Sequence, residues 1–404
     1  MNVFVARQPI FDRGKNVYGY ELLFRSGFEN YYKALDPDRA TVDVISNSFF
    51  VIGFDQLTDG RRAFINFTRN LLVQGVAALL PKDQVTVEIL EDVEPDETVL
   101  EVCQGLKQAG FSVAMDDFVS EHEGSPLIQY ADIVKVDFMQ TDPAERRAIC
   151  QKLTTRGVAA LAEKVETAEE FDEALDSGYS YFQGYFFSKP VVHSGKQIAA
   201  NKLTYLQILA KVNQPGISYD ELEQLIKQDV SVTYKLLRFM NSAWFGFRSE
   251  IKSIRHALIL LGPKEIKKWF ALIALSQMAT DKPEELMLRA VARAKIAEAI
   301  APAIGMADRS SELFLMGMFS LIDALMDTTM SEILEKLPLD QEIKRALLGE
   351  DCPFRTVYEM IEAYEKADWD RFADLARTLG VDENVVPELF TDSLKWANEA
   401  FTIM

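Results

Sequence analysis

Asp142-Pro-Ala-Glu145, Gly157, Val158-Ala-Ala-Leu-Ala-Glu163, Thr167-Ala-Glu-Glu170, Gly178 and Tyr179-Ser-Tyr-Phe-Gln183 follow one another along the chain. Asp142 reads as a helix N-cap, Pro143 as a residue preset for the first turn, and Glu145 as a capping acid. Gly157 stops that helix, and an apolar run ending on a carboxylate follows. The phrase then repeats. Thr167 and Glu170 form a capping box, Gly178 is the stop, and the next apolar run ends at Gln183. Helices that alternate with short buried strands imply a parallel sheet.

The same phrase extends upstream. Pro95 opens a helix, Gly110 closes it, and Phe111-Ser-Val-Ala-Met-Asp116 follows. Strand ends fall near Asn66, Glu88, Asp116, Lys135, Glu163 and Gln183, about 19 to 28 residues apart, the length of one β/α unit. Two further strands, Val3–Phe11 and Val17–Arg25, are joined by a turn at Arg13-Gly-Lys-Asn16, so the chain begins with a hairpin. The expected fold is α/β, an irregular (β/α)8 TIM-like barrel. After Ser188-Lys-Pro190 the strand patterns stop. Ser218-Tyr-Asp-Glu221 is a capping box. Helical runs follow at about Ser231–Met240, Lys252–Leu261, Pro263–Met278, Glu284–Ala303, Ser311–Met326, Val357–Ala367 and Arg371–Leu379. The expected division is a barrel over residues 1–195 and an all-α domain over 196–404.

Composition narrows the function classes. The chain has 404 residues, 48% of them hydrophobic, enough for more than one packed core. Its 62 acidic against 43 basic residues give a net charge of −19, and no basic cluster exceeds a pair such as Arg146-Arg147. Such a field repels phosphate backbones and anionic lipid, so neither nucleic acid nor membrane is an expected partner. Cys103, Cys150 and Cys352 are scattered and no signal-peptide layout opens the chain, so a reducing cytoplasm is expected. Three histidines, widely spaced, exclude a paired-histidine zinc site.

Barrel enzymes carry their chemistry at the C-terminal ends of strands. Here those ends hold Glu21, Asn66, Glu88, Asp116, Asp117, Lys135, Glu163 and Gln183. Carboxylates converging on one mouth repel unless a cation lies between them, and hard oxygen donors select Mg²⁺, Mn²⁺ or Ca²⁺ over zinc. A carboxylate-bridged metal pair suits phosphoester hydrolysis, with Lys135 to orient the attacking water.

These residues resemble a known family. Glu21-Leu-Leu-Phe-Arg25 is similar to the Glu-Ala-Leu-x-Arg signature of EAL domains, the cyclic di-GMP phosphodiesterases. Gln8-Pro-Ile10, Asn66, Glu88-Ile-Leu-Glu91, Asp116-Asp-Phe118, Lys135-Val-Asp137, Ala162-Glu-Lys-Val-Glu166 and Gln183-Gly-Tyr-Phe-Phe-Ser-Lys-Pro190 continue it in family order. The resemblance implies that Glu21, Asn66, Glu88 and Asp116 hold a first metal, Mg²⁺ or Mn²⁺. Asp116 then bridges to a second, with Asp117 and Glu163 beside it. It gives Lys135, Glu163, Glu166 and Gln183 catalytic positions, and Gln8 and Arg25 contacts to the substrate.

The departures lie in three places. Val119-Ser-Glu-His-Glu-Gly-Ser-Pro-Leu127 replaces the family's glycine-rich loop, Lys164 stands where the family has glycine, and Arg7 where it has tyrosine. In the second half, Leu236-Leu-Arg-Phe-Met-Asn-Ser-Ala-Trp-Phe-Gly246 and Ser253-Ile-Arg-His-Ala-Leu-Ile-Leu-Leu-Gly262 resemble HDOD domains. Those are helical relatives of HD hydrolases that generally lack the metal site, and Gly317-Met-Phe-Ser-Leu-Ile-Asp323 stands where a His-Asp pair would fall. The order resembles bacterial EAL–HDOD signalling proteins of the YuxH type.

Three readings follow. In the first, a divergent EAL barrel binds cyclic di-GMP or a protein partner with little or no turnover, coupled to an HDOD output or scaffold. In the second, the barrel is an active metal-dependent phosphodiesterase. In the third, it is a scaffold with an empty mouth. A protein partner held through the HDOD half and a homodimer are the macromolecular partners to expect.

Overall fold

In the computed structural model the described residues are 3–26, 57–118, 124–188, 208–214, 216–227, 230–241, 251, 253–279 and 282–403. They form two compact units. One comprises Met1–Phe187 with Ala363–Trp369, the other Ser188–Glu362 with Asp370–Met404.

The first unit is a closed eight-stranded barrel in the order β1 to β8. Its strands are β1 (Val3–Asp12), β2 (Val17–Ser26), β3 (Arg62–Phe67), β4 (Val85–Ile89), β5 (Ser112–Met115), β6 (Ile133–Asp137), β7 (Ala159–Val165) and β8 (Tyr181–Gly184). β1 runs antiparallel to both β2 and β8, and every other neighbouring pair is parallel. The irregularity follows from the tight turn at Arg13–Asn16. Asp12 closes it, its Oδ1 accepting from the amides of Gly14 (2.8 Å) and Asn16 (2.9 Å). A turn that short can join only antiparallel strands.

Between the parallel strands lie α1 (Arg69–Val73), α2 (Glu97–Ala109), α3 (Pro143–Thr155) and α4 (Ala168–Ser177). Asp142 accepts from the amides of Ala144 and Glu145 to cap α3, and the Thr167–Glu170 capping box opens α4. The cap of α2 is Asp96, not Pro95, because only its carboxylate accepts from the Val99 amide. Gly110 and Gly178 take left-handed backbone at the ends of α2 and α4. Ile10, Phe64, Ala114, Ile133 and Leu161 fill the barrel interior away from the strand ends.

The register of β7 against β8 shifts between Ala162 and Val165. Gly184 (φ 146°) fits against this bulge so closely that a Cβ would lie 2.1 Å from the Val165 carbonyl oxygen. Gly184→Ala is therefore expected to destabilise the barrel by about 3 kcal/mol, through overpacking added to backbone strain. Thermal unfolding of the variant against the parent protein measures the loss.

The described chain beyond β8 is helical, and from Ser188 on all of it but Ala363–Trp369 belongs to the second unit. Its elements are α5 (Tyr219–Lys227), α6 (Val230–Met240), α7 (Ile254–Met278), α8 (Glu284–Ile300), α9 (Ser310–Phe319), α10 (Ile322–Met326), α11 (Met330–Lys336), α12 (Gln341–Leu347), α13 (Pro353–Glu365), α14 (Trp369–Leu379) and α15 (Val386–Ile403). The two runs expected at Lys252–Leu261 and Pro263–Met278 are the two arms of α7, which meet at Gly262, whose backbone (φ 73°) is non-helical, with Pro263 opening the second arm. The single run expected at Ser311–Met326 breaks into α9 and α10 after Ser320. Trp269 and Phe270 are buried in the core with Leu236, Met240 and Leu258. The set Trp244, Phe245 and Phe247 lies outside the described residues. Among the described residues, no helix is long and apolar enough to cross a membrane.

Candidate functional site

All strands but β1 point their C-terminal ends at one mouth. They bring Glu21 (β2), Asn66 (β3), Glu88 (β4), Asp116 (after β5), Lys135 (β6), Glu163 (β7) and Gln183 (β8) together. Antiparallel pairing sets Gln8 of β1 opposite Glu21. Lys135 lies one layer below the rim, since β6 runs on to Asp137, and its side chain is 1% exposed. Its Nζ is 2.7 Å from Glu163 Oε1, 2.9 Å from Asp116 Oδ1 and 3.4 Å from Glu21 Oε2, and it donates to Glu88 Oε1. Two amides complete the frame. Gln183 Nε2 donates to Glu21 Oε2 (2.6 Å) and Gln8 Oε1 (3.0 Å), and Asn66 Nδ2 donates to Glu21 Oε1 (3.1 Å).

The electrostatics follow from burial against charge. Burial alone would neutralise Lys135, but Glu163, Glu21, Glu88 and Asp116 outweigh it and hold the ammonium charged well above its usual range. Glu88 has no exposed surface. Desolvation drives its pKa well above the carboxylate range, and the neighbouring carboxylates add to Lys135's losing contest. Glu163 is pushed up to about 8, by burial first and then by Asp116 and Glu21. Asp116 goes the other way: burial raises it, but the Lys135 ammonium and the Asp117 amide hold it below its ordinary value. The cluster thus keeps one ammonium and raises the proton affinity of Glu88 and Glu163, which a bound cation would oppose.

Two sets of carboxylates meet the requirement for a cation. Glu21, Glu88 and Asp116 offer oxygens within 4.8 Å of one another, and so do Asp116, Asp117 and Glu163. Glu88 Oε2 and Glu163 Oε2 are buried without a hydrogen-bond donor. Unpartnered carboxyl oxygens of this kind fit a hard divalent ion, Glu88 on the Glu21, Glu88 and Asp116 side and Glu163 on the other.

Above the cluster opens a cavity of about 320 Å³, lined in part by Gln8, Asp117, Lys164 and Glu166. Asp117 stands apart from the Lys135 cage, its Oδ1 3.4 Å from Lys164 Nζ. Glu166 is exposed at the rim, where its amide donates to Glu170 Oε2 (2.7 Å). Arg25 lies on β2 opposite Phe4, with its side chain outside the described residues, and so does the segment 119–123 after Asp117.

Three contributors escape a reading of strand ends alone. Asp137, two residues beyond Lys135 on the same face of β6, is 1% exposed, and its Oδ2 lies 2.5 Å from Lys164 Nζ. Lys164 adopts left-handed backbone (φ 55°), a cost on the order of 1 kcal/mol for a residue with a Cβ. Met139 stands on the lip, 72% exposed. The alternation Lys135-Val-Asp137 was the available signal for Asp137. Arg7 is structural: Nη1 donates to the Leu57 carbonyl (2.8 Å), and its guanidinium lies 4.2 Å from the Tyr20 ring centre.

Family comparison agrees with this arrangement. The EAL domain model matches residues 44–190, and the HDOD domain model matches residues 200–350. The uncharacterised protein YuxH of Bacillus subtilis is 37% identical over 406 residues, covering 98% of each chain. The cyclic di-GMP phosphodiesterase CdgJ of Vibrio cholerae is 34% identical over 399 residues, 98% of this chain and 92% of that one. This chain belongs to the EAL–HDOD family. Klebsiella pneumoniae BlrP1, solved with calcium and cyclic di-GMP, is 26% identical with a TM-score of 0.39, over 47% of this chain and 56% of that one.

In this EAL–HDOD protein α8 and α9 of the helical unit meet closely. A Cβ on Gly317 of α9 would lie 2.5 Å from the Arg293 carbonyl oxygen of α8, so glycine is what lets these helices meet. Arg293, 3% exposed, donates to Tyr358 OH (3.2 Å) and Ser320 Oγ (3.4 Å). Asp323 is half-buried, and desolvation raises its pKa. His256 is an exposed first-turn residue of α7 whose amide donates to Ser253 Oγ.

Lys135→Met removes the one cation from four converging carboxylates. The variant is expected to lose about 3–5 kcal/mol at pH 8 and less at pH 5. The sign follows from Glu163: its folded pKa of about 8 lies above the unfolded value, so the folded state binds the extra proton. Stability then falls as pH rises between the two. Denaturant unfolding at both pH values, with and without Mn²⁺, checks this, and the ion is expected to recover most of the loss.

Proposed function

We propose that the barrel mouth binds cyclic di-GMP together with a divalent cation, with little or no turnover, and that the HDOD half acts as output or scaffold. The observation that carries this reading is the intact cluster of hard oxygen donors around Lys135, opening into a cavity of about 320 Å³. Glu21, Asn66, Glu88 and Asp116 would hold the ion. Bound there, Mg²⁺ or Mn²⁺ supplies Lewis-acid polarisation of a phosphodiester oxygen. The nucleotide's two phosphodiester charges cannot approach so acidic a mouth unaided, so its binding depends on that cation. Gln8 and Arg25 are the proposed contacts to the phosphates, and Gln183 orients Glu21. The name of CdgJ supports cyclic di-GMP as the ligand class.

Low turnover is supported by the residues on the second side of the mouth. Asp117 is engaged by Lys164, and the loop that follows it begins with Val119 in place of glycine. Hydrolysis requires the attacking water, Lys135 and the scissile phosphate to be held to within about 1 Å, and a misplacement of that size costs on the order of a hundredfold in rate.

Calorimetric titration with cyclic di-GMP in Mn²⁺ is expected to give binding that EDTA abolishes and that Arg25→Ala weakens at least about tenfold. In the same buffer, chromatography is expected to find no linear dinucleotide above the level given by Lys135→Ala. Product from the parent protein alone would overturn the low-turnover reading in favour of an active phosphodiesterase. Absence of binding in Mn²⁺ and in Mg²⁺ would overturn the receptor reading in favour of a scaffold.

A further inference from the structure

The mouth contains two acidic sets that share Asp116, but the two sides are not equivalent. On the first side, Glu21, Glu88 and Asp116 surround Lys135, and Glu88 Oε2 is left without a donor. On the second side, Asp116, Asp117 and Glu163 are met by a side chain from β7 itself. Lys164 Nζ is 3.4 Å from Asp117 Oδ1 and 2.5 Å from Asp137 Oδ2.

How Lys164 gets there is a matter of backbone. Neighbouring residues on a regular strand point to opposite faces. At Glu163–Lys164 the pairing with β8 is bulged, and Lys164 is left-handed with φ 55°. The bulge turns both neighbours towards the same cavity, which Glu163 and Lys164 line together. Asp117, the partner of Lys164, is also left-handed, with φ 40°. Two non-glycine residues in this conformation, paired across the mouth, mark a geometry that the rest of the fold holds against local preference.

We infer that the Lys164 ammonium takes the place of a second divalent cation at Asp116, Asp117 and Glu163, so that the mouth holds one divalent ion per chain. This deepens the function proposed above and rests on it for the first ion. On the second side a divalent ion would have to compete with Lys164 for the same carboxylates. Asp117 Oδ1 faces the ammonium at 3.4 Å and Asp116 Oδ1 faces Lys135 at 2.9 Å, while Glu163 keeps a buried oxygen without a donor. A cation arriving there meets a fixed positive charge within ion-pair distance of its own ligand. Lys164 is a positioning residue in this account: it holds Asp117 and Asp137 and sets the number of ions.

The test is a count of Mn²⁺ on the full-length protein, by equilibrium dialysis and by electron paramagnetic resonance. Lys164→Gly removes the ammonium and suits the left-handed backbone, so it is not expected to impair folding. Lys164→Met keeps most of the side-chain bulk without the charge. The parent protein is expected to bind one Mn²⁺ with the spectrum of an isolated ion. Both variants are expected to bind two, the second at least about a hundredfold tighter than in the parent, with the altered spectrum of ions about 4 Å apart. Two ions on the parent, none on the parent, or a single ion on both variants would each overturn the inference. Cyclic di-GMP titration of the same samples separates the two claims. Ion counts of one and two without nucleotide binding would sink the proposed function and leave the inference standing.

Discussion

One buried ammonium holds the barrel mouth together. Four carboxylates from four separate strands cannot share a space closed to water unless a positive charge sits among them, and Lys135 is that charge. Its position fixes much else. Glu21 is turned inward and then needs donors of its own, which Gln183 and Asn66 supply. Glu88 and Glu163 retain oxygens that the ammonium does not reach. Those leftover acceptors are what the proposed divalent ion would meet.

Much of this was legible in the residues. Alternating caps, glycine stops and apolar runs carry the β/α repeat, because each signal is local: Asp142 and Thr167 need only the amides two or three residues ahead. Strand ends then predict the mouth, since parallel strands in a closed barrel all finish on one side. Depth was not legible. Lys135 reads as a terminal residue, although β6 continues to Asp137, and the consequence of that extra pair of residues is a second carboxylate at the rim. Lys164 was visible as a substitution for glycine. Its reach was not, because it depends on a bulge that only pairing with β8 reveals.

The helical half shows the same division. Capping and periodicity delimit the longer helices. The boundary at Gly262–Pro263 inside α7 is local and legible in those two residues, whereas the split of another expected run into α9 and α10 depends on tertiary packing, which local pattern does not encode. Gly317 is the clearest case. In sequence it is one small residue in an apolar run; in space it is the contact that allows α8 and α9 to close on each other. Arg293 of α8 then donates to Tyr358 OH and Ser320 Oγ.

The reversed direction of β1 has a practical consequence. Because it is antiparallel to both neighbours, its Val3 end lies at the mouth and its Asp12 end at the floor. Val3 stands opposite Ser26, five residues further along the strand than Gln8, which stands opposite Glu21. A histidine-rich purification handle joined at that end would bring metal-binding imidazoles to the mouth side of the barrel, whereas one at the C-terminus of the chain would not follow β1, so the position of a tag bears on whether ion counts describe the protein or its handle.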